Sequence, residues 1–85
     1  MRIAALTPQS PWLLSVVAED GRVGVFDVGP YLEYEVFEAL RDHKEFVKVV
    51  NGGYFVEWDC GADLSSDTIE ARWQVVGNSV QKTSA

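Results

Sequence analysis

Residues 12–28, WLLSVVAEDGRVGVFDV, decide the fold of this chain. An apolar run from Trp12 to Ala18 is followed by Asp20-Gly21 and then by a second apolar run over 22–28. Asp-Gly between two such runs is a strong β-hairpin signal, because Gly and the Asp before it accept the positive φ that matches the twist of the flanking strands. We therefore predict a hairpin whose return strand alternates, with Val23, Val25 and Asp27 on one face and Gly24, Phe26 and Val28 on the other.

The remaining chain predicts short helices and at least one further strand. The spacing of Val36, Phe37 and Leu40 suits a short amphipathic helix. Asp42 with Glu45 three residues later forms a capping-box pattern that starts a second helix and carries Phe46 and Val49 inward. Residues 54–58 are aromatic and β-branched and predict a strand with Trp58 in the core, and 47–50 suit either helix or strand. Gly61 lies in a turn, and Ser66 or Asp67 caps a final helix.

These elements predict an α+β domain with a small, mostly antiparallel sheet, opened by the β-hairpin, and two or three short helices. We expect a single domain over residues 1–77 and a polar C-terminal tail over 78–85. The expected structural residues are the turn and cap residues together with the core tryptophan: Asp20, Gly21, Trp58, Gly61, Asp63 and Asp67.

Bulk composition narrows the classes of partner. The 85 residues carry 13 acidic and 7 basic side chains and a net charge of −6, which disfavours nucleic-acid binding and favours a basic protein partner. The single cysteine, Cys60, excludes an intramolecular disulfide and fits a reducing compartment, so we expect a cytoplasmic protein. No apolar run approaches a membrane span, and a homodimer stays open because a domain this small gains stability from further burial.

No catalytic constellation is present in the sequence. His43 and Cys60 are the only residues of their types, and we interpret them as a surface histidine and an incidental thiol. The carboxylates between Glu57 and Asp67 lack the spacing of a calcium loop, and Asp63 and Asp67 are better explained by bonds to nearby backbone N–H groups. We therefore expect no enzyme activity, no cofactor and no metal.

Five residues are candidates for an interface. Trp12 and Trp73 lie near the start of a strand and after the final helix, where an exposed tryptophan would be a binding anchor. Arg41, Lys44 and Lys48 are spaced i, i+3 and i+7 along the predicted second helix, so they form either a solvated face or a basic stripe.

The order of these landmarks resembles a known family of bacterial proteins. The residues that carry the resemblance are Asp20-Gly21, the stretch Phe26-Asp27-Val28, the stretch 37–42 (FEALRD), Phe46 with Val49, and the closing stretch 58–69 (WDCGADLSSDTI). Together they resemble the domain-of-unknown-function family 2442 over roughly residues 5–72. The resemblance implies a small α+β domain, found alone or ahead of a helix-turn-helix domain, and in some members a partner in toxin–antitoxin-like gene pairs. This chain differs because it has no helix-turn-helix and carries Cys60 where the family more usually has a small polar residue.

Two functional hypotheses follow. The first is a non-enzymatic protein–protein interaction or regulatory module, antitoxin-like, whose acidic face and exposed aromatic residues cover a basic partner, toxin-like in the family's gene pairs. The second is a component of a nucleic-acid-associated transcriptional regulator that acts through Arg41, Lys44 and Lys48.

Overall fold

The computed structural model describes residues 1–78 of the chain. The elements in this part are, in chain order, β1 (Ile3–Gln9), β2 (Leu13–Ala18), β3 (Arg22–Asp27), two 3₁₀ helices (Gly29–Glu33 and Glu35–Arg41), α1 (His43–Phe46), β4 (Val50–Asn51), β5 (Phe55–Glu57), β6 (Asp63–Ser65), α2 (Ser66–Arg72) and β7 (Gln74–Asn78). The first sheet has the strand order β1-β2-β3-β7 and the second sheet has the order β4-β5-β6. All strand pairs are antiparallel, which confirms the predicted α+β class.

The predicted hairpin is formed by β2 and β3, with Leu14 opposite Phe26. Gly21 has a φ of 96°, and its N–H donates to the carbonyl of Ala18 at 2.9 Å. The prediction of a positive φ at Asp20 is wrong, since only glycines adopt it among the described residues. The connection has three residues rather than two, so a single left-handed position suffices. Asp20 instead accepts hydrogen bonds from Arg22 N and Nε, at 3.1 and 2.9 Å, and the first of these bonds lowers the pKa of its carboxyl.

The core lies between the inward face of the first sheet and the helices and second sheet that cover it. Trp58 belongs to it, as predicted: its side chain is 3% exposed, and its ring stacks on Phe46 with centroids 6.1 Å apart. The indole N–H donates to the carbonyl of Phe46 at 2.8 Å, so the polar atom of this large ring is satisfied. Gly61 has a φ of 97° and its N–H donates to the carbonyl of Trp58, which closes the predicted turn after β5.

The segment predicted as an amphipathic helix from Val36, Phe37 and Leu40 is a 3₁₀ helix. Side chains three residues apart share one face of a 3₁₀ helix, so Phe37 and Leu40 are both buried. Val36 is exposed, and its expected inward position is therefore wrong. A period of 3.0 and one of 3.6 differ too little over seven residues for the sequence to separate them.

Helix α1 begins after Asp42 as predicted, but the reciprocal half of the capping box does not form, because the Asp42 N–H donates to the carbonyl of Ala39. The Asp42 side chain accepts from the backbone N–H of Lys44 at 3.0 Å, and Phe46 is buried. The helix ends at Phe46, after one turn. The sequence left helix and strand open for residues 47–50. In the structure 47–49 belong to neither, and Val50 starts β4 and pairs with Glu57 of β5.

The connection from β5 to α2 differs from the prediction in two respects. Asp63 lies in a strand, β6, opposite Glu57, rather than in a turn. The N-cap of α2 is Ser65, whose Oγ accepts from the backbone N–H of Thr68 at 3.1 Å, so Ser66 and Asp67 are wrong as caps. Because β6 keeps Ser65 extended, the helix starts one residue earlier than expected. Asp67 remains in the first helical turn, where its charge favours the helix dipole.

Strand β7 was not predicted. It begins immediately after Trp73 and pairs with β3, with Gln74 opposite Val25. Asn78, predicted as the first tail residue, is the last residue of β7, and the rest of the predicted tail, 79–85, lies outside the described residues.

A small ionic network ties α2 to β3 and the N-terminus. Arg22 Nη2 donates to Glu70 Oε2 at 2.8 Å, and the amino group of Met1 donates to Glu70 Oε1 at 3.2 Å. The Arg22 hydrogen bond, followed by that of the amino group, holds the pKa of the Glu70 carboxyl below its ordinary value. The same pairing raises the pKa of Arg22.

The outer face of the first sheet is the face that points away from the core. On β2 and β3, buried residues alternate with half-buried or exposed ones, as alternation along a strand requires. The register places Leu13 opposite Asp27, Ser15 opposite Val25 and Val17 opposite Val23. The outer face therefore has at its centre the side chains of Leu13, Ser15, Val17, Val23 and Val25, with Asp27 at its corner.

Candidate interaction groove

A groove of about 340 Å³ opens where β3 gives way to the first 3₁₀ helix. Its lining residues are Phe26, Asp27, Pro30, Tyr31, Tyr34 and Arg72. Pairing between β3 and β7 stops at Val25 and Gln74, so Phe26 and Asp27 extend beyond the end of β7. The groove occupies this corner of the sheet. Arg72, the last residue of α2, also lines it.

Local sequence explains how the groove is built. Asp27 Oδ1 accepts the backbone N–H of Gly29 at 2.8 Å, which fixes the turn after β3. Pro30 then occupies the first turn of the 3₁₀ helix, where its fixed φ is favourable and its missing N–H costs nothing. Tyr31 and Tyr34 follow at a spacing of three, and the N–H of Tyr34 donates to the carbonyl of Tyr31 at 3.0 Å. Two tyrosines therefore lie side by side along the groove.

Aromatic rings form one wall. Tyr31 stacks on Phe26 with centroids 5.7 Å apart at 29°, and contacts Phe37 at 5.7 Å. Tyr34 lies 6.3 Å from Tyr31 and is 61% exposed. Tyr31 is thus anchored in the core, whereas Tyr34 extends the aromatic wall into solvent.

Charged groups border the aromatic wall. Asp27 is exposed, and its hydrogen bond to Gly29 uses Oδ1. Glu33 and Glu35 flank Tyr34 in the chain and are exposed. Arg72, also exposed, stands at the end of α2. The groove can therefore hold a cation against Asp27 and a planar group against Tyr34, while Arg72 offers donors to carbonyl or carboxylate oxygens.

The structure does not place either predicted tryptophan free on the surface. Trp12 is half-buried, and its indole N–H donates to the carbonyl of Leu40 at 2.7 Å. Trp73 is half-buried and lies so close over Gly24 that a Cβ there would come within 2.4 Å of its ring. The Arg22 guanidinium lies over the Trp73 ring, 5.5 Å from its centroid. Both tryptophans thus make contacts that stabilise the fold, although neither is fully buried.

The predicted basic stripe is not a continuous helix face. Arg41 ends the second 3₁₀ helix and donates through Nε to the carbonyl of Leu32 at 3.2 Å. Lys44 lies in α1 and is exposed, whereas Lys48 lies beyond that helix and pairs with Glu45 at 3.2 Å. The i, i+3, i+7 spacing would need a helix of more than two turns, and α1 has four residues. The nucleic-acid hypothesis stays a prediction.

His43 and Cys60, the two side chains considered for catalysis, contact different residues. The His43 ring packs edge-on against Trp12 at 4.7 Å, and Cys60 is exposed with Sγ 4.0 Å from the carbonyl oxygen of Val36. Within residues 1–78, no group of three or more His, Cys, Asp or Glu side chains is placed to hold a metal ion. In the same part of the chain, no helix is long and apolar enough to cross a membrane.

The groove residues were not among the predicted interface residues. The signal that could have found them is the aromatic spacing Tyr31, Tyr34 and Phe37 directly after Gly29-Pro30, which suits a short 3₁₀ helix. Arg72 could not have been found this way, because it is brought to the groove by the pairing of β7 with β3.

The fold and groove define a small α+β domain of two antiparallel sheets with an open aromatic corner. The family model described as "Protein of unknown function (DUF2442)" matches residues 3–74, and the chain belongs to this family. The suspected family is thereby confirmed. No curated protein and no solved structure matches the chain significantly.

Proposed function

We propose that this protein is a non-enzymatic protein–protein interaction module, of a regulatory or antitoxin-like kind, that binds a segment of a basic protein in the aromatic groove. The observation that carries this proposal is that the exposed Tyr34 ring and the Asp27 carboxylate line the same groove, which is large enough for a side chain. The proposed interface uses Tyr34, whereas the interface predicted from the sequence uses Trp12 and Trp73.

An arginine side chain suits the groove best. Its planar guanidinium can stack on the Tyr34 ring and donate hydrogen bonds to the free oxygen of Asp27. Glu33 and Glu35 add negative potential at the entrance, and the net charge of −6 steers a basic partner towards the protein from a distance. Arg72 can bind the backbone carbonyls on either side of the inserted residue.

Affinity capture from the native host tests the proposal. Three tagged baits are compared with the wild-type protein: Tyr34→Ala, Asp27→Asn and Tyr54→Ala. The Asn variant keeps an oxygen acceptor for Gly29 but loses the charge, so it separates binding from folding. Tyr54 is 62% exposed and lies outside the groove, which makes its variant a matched control for removing an exposed tyrosine.

A basic protein captured by the wild type and by Tyr54→Ala, but lost from both groove variants, would support the proposal. Binding should also weaken as salt rises, since the attraction is between charges. Equal capture by all four baits would contradict it.

A further inference from the structure

The outer face of the first sheet has the composition of a buried surface. Its central side chains include Leu13, Val17, Val23 and Val25, all half-buried by their own neighbours. They do not belong to the core cluster or to the residues that pack against it. Among the described residues on β2 and β3, the one charge on this face is Asp27, at its corner.

A sheet face that is exposed to water has a different pattern of apolar and polar residues. Antiparallel strands with one solvated face alternate between apolar and polar residues, whereas strands covered on both faces are continuously apolar. Strand β2 is LLSVVA, so five of its six residues are apolar, and β3 adds Val23 and Val25 on the same side. Neighbouring strands extend the face with the uncharged Thr7 and Gln74, opposite Ser15 and Val25. The sequence of these strands therefore indicates a partner on this face.

The segment 79–85 has few apolar side chains to offer this face. Residues 79–85 are SVQKTSA, with a single large aliphatic side chain, Val80. A basic protein would be attracted to the carboxylates around the groove, and this face has only the corner carboxylate of Asp27 to offer it.

We infer that the outer face binds the same face of a second copy of this chain, so that two sheets pack against each other in a homodimer. Sheets pack face to face about 10 Å apart with their strands rotated by roughly 30°. The centre of the face is uncharged and its one carboxylate, Asp27, lies at the corner, so two molecules of charge −6 can meet there with less repulsion than at the charged surface around Glu33 and Glu35.

The area of the face limits the strength of the dimer. Four strands about 4.8 Å apart and about six residues long give a face of roughly 400 Å² per copy, about half the area of a standard specific interface. We therefore expect a weak dimer that depends on concentration. The dimer does not rest on the proposed groove function, because its contact is apolar and shares only the corner residue Asp27 with the groove.

Sedimentation velocity of the full chain tests the dimer, at concentrations from about 10 µM to about 1 mM, where small interfaces associate. The weight-average mass should rise from the chain mass of 9.5 kDa towards twice that value. Val25→Lys should stay at 9.5 kDa throughout, because symmetry places two buried charges in one contact. Val47→Lys, at a valine that is 55% exposed elsewhere, is the matched control and should behave like wild type.

A further variant and a salt series complete the test. If Val25→Lys fails to fold by circular dichroism, Val25→Thr keeps the β-branched shape and should weaken the dimer at least about tenfold, since it buries a hydroxyl on each side. Added salt should strengthen the dimer by screening the repulsion between two acidic molecules, opposite to its effect on binding in the groove. A wild-type protein that stays monomeric at about 1 mM, or folded Val25 variants that dimerise like wild type, would overturn the inference.

Discussion

Replacing Trp58 by alanine should remove about 3–5 kcal/mol from the free energy of unfolding, the usual cost of deleting a buried tryptophan. The side chain is 3% exposed, stacks on Phe46 and meets Phe37 edge-on with centroids 6.3 Å apart. Truncation would leave a cavity between these rings and remove the hydrogen bond to the carbonyl of Phe46. A domain of 85 residues has a total stability of roughly 4–13 kcal/mol, so the variant should be near its folding threshold.

Urea unfolding followed by far-ultraviolet circular dichroism measures this loss without relying on tryptophan fluorescence. The midpoint should fall by more than about 1 M, given the slopes typical of small domains. Trp58→Phe keeps a ring and should lose only about 1–2 kcal/mol. The Phe46 carbonyl would still accept the N–H of Val49 at 3.3 Å.

Tyr54→Ala is the control for this series, and its free energy of unfolding should stay within about 0.5 kcal/mol of wild type because the side chain is exposed. An unchanged midpoint for Trp58→Ala would refute the assignment of this ring to the core.

Three further predictions concern helix α2 and the residues around it. Gly24→Ala should destabilise the protein by about 1–3 kcal/mol, because its Cβ would come within 2.4 Å of the Trp73 ring and push it aside; thermal unfolding measures the loss. Ser65→Ala should cost about 1 kcal/mol by removing the N-cap of α2, whereas Ser65→Asp should restore it in the same assay. The pKa of Glu70 lies below its ordinary value of 4.5 because of Arg22, so its stabilisation is complete above that pH and is lost as the pH falls below it. Glu70→Gln should therefore flatten the acid limb of the stability curve, and a limb as steep as that of wild type would contradict the pairing.

The hairpin and the start of α1 could be predicted from sequence because each rests on contacts within a few residues, and the core position of Trp58 followed from the large apolar ring. Gly21 supplies the turn, Asp42 caps the helix that follows it, and strand alternation places Phe26 inward. Local structure that such signals encode forms in the folded protein unless tertiary contacts oppose it.

The short strands and the groove depend on tertiary pairing and could not be predicted in this way. Strand β6 has three residues and exists because it pairs with β5, and this pairing moved the cap of α2 to Ser65. Strand β7 is held by β3, and it brings Arg72 to the groove. The hydrogen bond from Trp12 to the distant Leu40 carbonyl could not be predicted for the same reason, and the tryptophan interface stays a prediction.

We propose that the partner of this acidic module is a basic protein rather than a nucleic acid. Affinity capture of the tagged wild-type protein from its native host, with and without nuclease and followed by mass spectrometry, tests it most directly. We expect one basic protein, captured in stoichiometric amount whether or not nuclease is added. Loss of all captured proteins on nuclease treatment would instead favour the nucleic-acid hypothesis.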